Sequence, residues 1–264
     1  MLWAALLLLL YSYREAQAIR LRNERIVLKR LPRAFEGFTI ALLADLHTSY
    51  FGRREKRLCE LLRNIEADMV VFAGDFKRRK ATKEAPVAAA LKEISRCLRS
   101  RLAPLAVLGN KDKAGMTAGI EAAGIEMLSG RAKRVNRGKD DIWLAGVDSL
   151  SLQRLARALI SVTSEIPDGS FKILLSHGPD VARLANALGY DLILCGDTHG
   201  GQIRLPLIGA PVVKSEISRR YCQGIMQEGS ATLCISSGIG TCAFPFRFLC
   251  PPEVMLLTLS RERG

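Results

Sequence analysis

The sequence predicts an α/β fold, and three observations carry that prediction. Apolar runs of five or six residues recur along the chain, bounded by turn residues, as buried strands are. Segments with helical leucine spacing alternate with them over the first two-thirds of the chain. Each of five runs also stops at a residue able to hold a metal ion, and in open α/β sheets such groups gather beyond the carboxyl ends of the strands. The organising run is Asp191-Leu192-Ile193-Leu194-Cys195, which leads into Gly196-Asp197-Thr198-His199-Gly200-Gly201-Gln202. Thr39 to Ala44 leads into Asp45-Leu46-His47, and Met69 to Ala73 into Gly74-Asp75. Pro104 to Leu108 leads into Gly109-Asn110-Lys111-Asp112, and Lys172 to Ser176 into His177. The chain has 3 histidines, and all of them lie at these ends, which a random scatter does not explain.

The elements follow in order. Met1 to Tyr13 is apolar, with five leucines in succession, and is shorter than the roughly 20 residues that span a bilayer. It lacks the basic start and small-residue cleavage site of a secretory signal. Arg14, Arg20, Arg22, Arg25, Lys29, Arg30 and Arg33 follow it. Apolar first and basic second reads as a membrane anchor, alone or as the end of a longer helix, with the rest on the cytoplasmic side. A buried N-terminal helix is the competing reading.

Residues 25–29 alternate as an edge strand does. Leu58, Leu61, Leu62 and Ile65 give 53–65 a helical period, and 86–99 and 116–123 are further helices. Phe76 to Ala85 is a basic loop, and 131–139 a basic hairpin region before a strand at 142–147. Helices at 152–160 and 181–188 flank the strand that ends at His177. Beyond Gln202 the rhythm changes. Short strands at 221–226, 232–236 and 254–259, separated by Gly, Pro and Ser turns, read as a β-rich closing sheet. The division expected is a membrane-associating segment, 1–24, and one domain, 25–264.

At 264 residues, with 48% hydrophobic and 25% charged residues, the chain can bury a sizeable core, so disorder is excluded. A net charge of +13 favours an anionic partner, whether phosphate substrate, nucleic acid or acidic membrane. Seven cysteines form no CxxC pair and several sit in apolar runs, so they read as buried, reduced thiols rather than a zinc site. Cys242 and Cys250 are the pair that could bridge in an oxidising compartment.

Spaced as Asp-x-His, Gly-Asp, Gly-Asn, His and Gly-x-x-His, residues 38–260 resemble the calcineurin-like metallophosphoesterase family. Gly200-Gly201-Gln202, Ser237-Gly238-Ile239-Gly240-Thr241 and Phe246-Arg247-Phe248-Leu249-Cys250-Pro251-Pro252-Glu253 look like its membrane-anchored bacterial branch, which includes UDP-diacylglucosamine pyrophosphatases. The resemblance implies a four-layer α-β-β-α sandwich with mixed sheets and a pair of divalent ions. Asp45, His47 and His199 would take one ion and Asn110, His177 and Asp197 the other, with Asp75 bridging. The chemistry agrees. Two cations about 4 Å apart repel strongly and need a carboxylate between them. Mixed nitrogen and oxygen ligands suit Mn²⁺, with Fe²⁺, Zn²⁺ or Mg²⁺ as alternatives. Such a pair acidifies a bridging water to hydroxide, orients the phosphate and stabilises the leaving oxygen.

Two departures from the family pattern stand out. Lys111 occupies the place of a histidine thought to contact the phosphate and protonate the leaving group, and Asp197 occupies the place of a metal-binding histidine. One carboxylate and one cation are gained together, so the two changes compensate in charge, and Lys111 would steady the phosphate oxygens. Asp75 and Lys111 are therefore the catalytic candidates, and Lys111, Lys77 and Arg78 the substrate-binding ones. The basic loops at 77–83 and 131–139 would attract an anionic head group.

The expected activity is hydrolysis of a phosphodiester or pyrophosphate, on a small molecule or a lipid-linked nucleotide sugar, at an anionic membrane surface. A nuclease or cyclic-nucleotide phosphodiesterase is the enzymatic alternative; the absence of interleaved aromatic and basic residues disfavours nucleic acid. A non-catalytic metal- or lipid-binding protein is the other alternative, favoured by Lys111 and opposed by seven intact ligand positions.

Overall fold

The computed structural model describes residues 2–213 and 221–262. Among these residues fourteen strands and six α-helices follow one another. They are α1 (Leu2–Glu15), β1 (Arg20–Leu28), β2 (Thr39–Leu43), α2 (Arg53–Leu62), β3 (Glu66–Ala67), β4 (Met69–Phe72), α3 (Glu84–Ser95), β5 (Arg99–Ser100) and β6 (Leu105–Ala106). Then come α4 (Met116–Ala122), β7 (Glu126–Met127), β8 (Arg131–Arg137), β9 (Asp140–Val147), α5 (Leu152–Thr163), β10 (Lys172–Ser176) and α6 (Ala182–Ala187). The chain closes with β11 (Leu192–Cys195), β12 (Gly224–Glu228), β13 (Ala231–Ile235) and β14 (Glu253–Arg261).

Two six-stranded mixed sheets form the centre. Their orders are β1-β14-β2-β4-β6-β7 and β12-β13-β11-β10-β9-β8, with β3 and β5 paired as a small sheet beside the first. Within the first sheet β2, β4, β6 and β7 run parallel, and β14 is antiparallel to β2. In the second, β9, β10, β11 and β13 run parallel between antiparallel edges.

The period-2 alternation of side chains builds the layers. Ile40, Leu42, Met69 and Val71 point inward and meet Ile173, Leu175, Leu192 and Leu194 of the other sheet. Their neighbours Ala41, Leu43, Val70 and Phe72 point outward, under Leu58 and Leu62 of α2, Leu91 of α3 and Ile120 of α4. On the far side Leu174 and Ile193 pack under Leu155 and Leu159 of α5 and Ala182 and Ala185 of α6. Strands buried on both faces read as unbroken apolar runs, which is why they stood out in the sequence. This is the expected four-layer sandwich.

Two expectations change. The three C-terminal strands do not form a closing sheet. β12 and β13 extend the second sheet, while β14 crosses to the first and lies between β1 and β2. Hydrophobic pattern marks these strands but does not say which sheet has an open edge. The edge strand β1 also starts at Arg20, five residues before the alternation becomes visible, paired in parallel with β14 from Glu253 onward. The seven cysteines are free, Cys242 and Cys250 included. Among the described residues no helix is long and apolar enough to cross a membrane.

Candidate metal centre

The carboxyl ends of β2, β4, β6, β10 and β11 converge at one edge of the sandwich, where the two sheets meet. Just past each end the chain turns abruptly. Asp45, His47, Asp75, Asp197 and His199 all have positive φ, from 45° to 68°. Non-glycine residues rarely adopt that region, and each such residue stores about 1–3 kcal/mol. Packing pays for the strain and turns each side chain inward.

Glycines make room for these turns. A Cβ on Gly74 would lie 2.5 Å from the Gly109 nitrogen, so at this point the loops carrying Asp75 and Asn110 meet backbone to backbone. Gly196 and Gly238 close on Asp45 in the same way: a Cβ on either would lie 2.6 Å or 2.9 Å from its Oδ2. Backbone bonds cross between the sheets here. The Ile239 and Gly240 N–H groups donate to the Ala44 and Asp45 carbonyls.

Six of the seven sequence-derived ligand candidates carry their polar atoms into one cluster with the seventh, Asn110, at its rim. Asp75 lies at the centre, its Oδ2 3.6 Å from His47 Nε2 and its Oδ1 3.6 Å from His177 Nε2. His199 Nε2 is 3.8 Å from Asp45 Oδ1, and His177 Nε2 is 3.2 Å from Asp197 Oδ1. The Asn110 Nδ2 donates to Asp197 Oδ1 at 3.0 Å. Asp45, His47, Asp75, His177 and His199 are buried. Geometrically the cluster resolves into two triads able to hold an ion, Asp45 with His47 and His199, and Asp45 with Asp75 and His177.

The arrangement fits cations. Asp45 Oδ1 is buried without a hydrogen-bond partner, while Oδ2 accepts from the Asp197 N–H at 2.9 Å. The rings of His47 and His199 stack with their Nε2 atoms 3.0 Å apart. His47 Nδ1 donates to the Lys77 carbonyl and His177 Nδ1 to the Ala73 carbonyl, which frees each Nε2 lone pair for a metal. Burial, strengthened by the Asp75 and Asp197 charges, raises the Asp45 carboxyl well above the usual range. Burial lowers His47 to about 4. Burial also presses His177 down, but its bond to Asp197 and the charges of Asp75, Asp197 and Asp45 outweigh that and raise it. The raised Asp45 and His177 are the groups favoured to hold protons where divalent ions would otherwise supply the positive charge.

Lys111 and the basic loop separate into different roles. The Lys111 N–H donates to Asp75 Oδ1 at 2.7 Å, and its ammonium donates to Asn110 Oδ1. Arg78 is exposed on a groove that begins at His47. Lys77 does not belong in a substrate-binding set. Its side chain is 2% exposed, and its ammonium bonds the Lys80 carbonyl and the Glu84 carboxylate. The backbone of Lys77 serves the site instead, through the carbonyl that holds His47.

Two supporting residues escaped the sequence reading. Arg247 is fully buried and donates to the carbonyls of Ser237, Gly238, Gly240 and Cys250, with Nη2 3.4 Å from His199 Nδ1. A lone arginine between Phe246 and Phe248 was the available signal. Asp112 accepts from the N–H groups of Phe76, Lys77 and Gly109, which ties the Asp75 loop to the Asn110 loop.

Three strained, glycine-packed loops around a carboxylate–imidazole cluster between mixed sheets define a class. The profile of the calcineurin-like phosphoesterase superfamily domain matches residues 38–205, and the chain belongs to that superfamily. It is a metal-dependent phosphoesterase. Its relatives include an uncharacterized metallophosphoesterase of Bacillus subtilis, YkuE, 29% identical over 94% of this chain and 87% of its own. Phosphodiesterase YaeI of Escherichia coli is 28% identical over 84% of this chain and 82% of its own. Among solved structures, phosphopantetheinyl hydrolase from Mycobacterium tuberculosis aligns with a TM-score of 0.45 and 10% identity, over 75% of this chain and 88% of its own.

Proposed function

We propose that the enzyme hydrolyses a phosphodiester or pyrophosphate of an amphipathic, membrane-borne substrate, with a lipid-linked nucleotide sugar such as UDP-diacylglucosamine as the leading example. Asp75 is the observation that carries the phosphoesterase part: its two oxygens face two different histidines, as a carboxylate between two ions must. In this reading Asp45, His47 and His199 hold one ion, Asn110, His177 and Asp197 hold the other, and Asp75 joins them. Asp197 adds a hard oxygen donor, which favours Mn²⁺ or Mg²⁺ over Zn²⁺. When bound, the ions supply Lewis acidity toward the phosphate and acidify water.

The chain's own residues do the rest. The Lys111 N–H holds the Asp75 carboxylate in place. The Lys111 ammonium reaches Asp197 through the Asn110 amide, a relay that supports the idea of two compensating replacements. For Asn110 to offer its oxygen to an ion the amide must turn over. That turn breaks its bond to Lys111 and leaves the ammonium to the phosphate oxygens. Arg78 adds positive charge along the groove.

The substrate part rests on α1, whose side chains from Trp3 to Leu10 are exposed, and on the net charge of +13. The membrane-associating segment, expected over 1–24, is then α1, because β1 already draws Arg20 to Glu24 into the first sheet. The rest is the catalytic domain, held at the cytoplasmic face of the inner membrane, in the anchored bacterial branch of the family. The test is turnover with Mn²⁺ of UDP-diacylglucosamine and of a generic aryl phosphodiester, with Asp75→Asn as control. Cleavage of the lipid, lost in the control, supports the whole reading. Cleavage of the generic ester alone discards the substrate and keeps the chemistry. Failure on both with ions bound moves the assignment to a binding protein.

A further inference from the structure

The metal cluster opens on two sides, and an apolar element stands beside each opening. On the His47 side a groove of about 1220 Å³ passes Tyr50, Arg53 and Arg78 and reaches Tyr13 and Arg14 at the base of α1. On the Asn110 side a groove of about 490 Å³ is lined by Asp197 and Val213 among others. Residues 203–213, Ile-Arg-Leu-Pro-Leu-Ile-Gly-Ala-Pro-Val-Val, lead away from the turn that carries His199.

This segment is a tight apolar turn. Leu205 and Gly209 exchange backbone hydrogen bonds of 2.8 and 2.9 Å, which places Leu207 and Ile208 at the tip. Leu207 is fully exposed and Ile208 72% exposed, with Val212 beyond them at 73%. Leu207 also has a φ of 65°, a conformation leucine avoids. The fold thus holds a bare, strained leucine in water, where nothing among the described residues rewards it.

The turn and α1 are fastened to one strip of chain. Arg204 donates to the Phe248 carbonyl, and the Phe248 N–H donates to the Gln202 carbonyl. On the other side of that strip Phe248 and Phe246 meet the rings of Tyr11 and Tyr13 edge-on. The Glu15 carboxylate accepts from the Leu249 and Cys250 N–H groups. Beneath lies His199, whose carbonyl accepts from Cys250 Sγ. Phe244 and Leu249, both exposed, add to the apolar surface of this strip.

We propose that the 203–212 turn is a second membrane-inserting element, and that with α1 it seats the mouth of the metal site on an anionic bilayer. The occupant follows from the chemistry. From Trp3 to Tyr11 the helix is exposed on every side, and a protein partner covers one face of a helix whereas hydrocarbon covers all of them. Tyr11, Tyr13 and Arg14 at its base are the residue types that sit at the head-group level. Arg53, Arg57 and Arg78 along the groove complement anionic lipid heads. The inference rests on the reading of a membrane-borne substrate, and it adds that the substrate enters along the interface without leaving it.

The full chain with Leu207→Glu and Ile208→Glu tests this. Both side chains are solvent-exposed, so the fold is undisturbed. Binding is measured by co-sedimentation with phosphatidylglycerol–phosphatidylethanolamine vesicles, and turnover on soluble bis(p-nitrophenyl) phosphate with Mn²⁺. The expected result is vesicle binding weakened more than about tenfold with soluble turnover within about twofold. Ile208→Trp in a Trp3→Phe background is expected to show quenching by brominated lipid. Unchanged vesicle binding by the double variant, or no quenching, overturns the inserted turn and leaves the phosphoesterase reading standing. Wild-type protein that ignores the vesicles overturns both the turn and the membrane-borne substrate. Soluble turnover lost in wild type and variant alike strikes the catalytic reading alone.

Discussion

At the scale of single residues, Asp75 and Lys111 divide the chemistry between a carboxylate and its support. Asp75→Asn removes one negative charge from the centre of the cluster while keeping its shape. Turnover of an aryl phosphodiester is expected to fall at least about a hundredfold, with fewer ions retained in metal analysis. A variant that keeps full turnover would remove Asp75 from the bridging position. Lys111 and Asp197 test as a pair, because Asn110 links them. Lys111→Ala and Asp197→His are each expected to lower turnover, and the double variant to lose less than the product of the two. Strictly multiplicative losses would mean that the two replacements do not compensate.

At the scale of elements, the site depends on how closely its loops approach one another. Gly74→Ala places a methyl group against the Gly109 backbone at a φ of 83°. A loss of at least about 2 kcal/mol is expected in urea unfolding, together with lower ion content, since both flanking loops carry ligand candidates. Arg247→Met tests the strip between α1 and His199. It removes the donor from the buried carbonyls of Ser237, Gly240 and Cys250, at about 1–3 kcal/mol each before relaxation, while Gly238 keeps the Glu253 N–H. Thermal unfolding is expected to show one of the larger single-residue losses in the protein. A near-neutral Arg247→Met would mean that water replaces the guanidinium and that the strip is held by Glu15 instead.

At the scale of the whole molecule, the cluster couples folding to pH and to metal. The folded-state pKa of His177 is raised above the ordinary 6.5, so its contribution is present below that value and is lost as pH rises through the folded value. Asp45, raised from 3.8, acts in the same direction over a window that starts lower. His47, lowered from 6.5 to about 4, opposes them only between those two values. Above pH 6.5, therefore, the metal-free protein is expected to melt at progressively lower temperature. Metal displaces the same protons, so Mn²⁺ affinity is expected to rise over that range, with proton release seen as a buffer-dependent heat in titration calorimetry. Chelation by EDTA is expected to lower the melting temperature more at pH 8 than at pH 6.5. A pH-independent difference would separate the titrating groups from the ion sites.

The sequence by itself marked the long buried strands, the helices and the seven ligand candidates at the strand ends, because strands buried on both faces must be apolar throughout and polar residues at their ends stand out. The two-residue strands β3, β5 and β7 left no such pattern. It also marked the apolar N-terminal run and the excess of positive charge. Only the tertiary structure decided where each side chain faces. Lys77 and Arg78 are neighbours in one basic run, yet one is buried against Glu84 and the other is exposed on the groove. Arg247 gained its place under His199 from carbonyls in a separate stretch of chain, and β14 its place from an open edge between β1 and β2. The positive φ angles of five ligand candidates were equally invisible, since local preference opposes them and only the packing of Gly74, Gly196 and Gly238 holds them. Composition is set locally; burial, pairing and strain are properties of contacts between residues far apart in the chain.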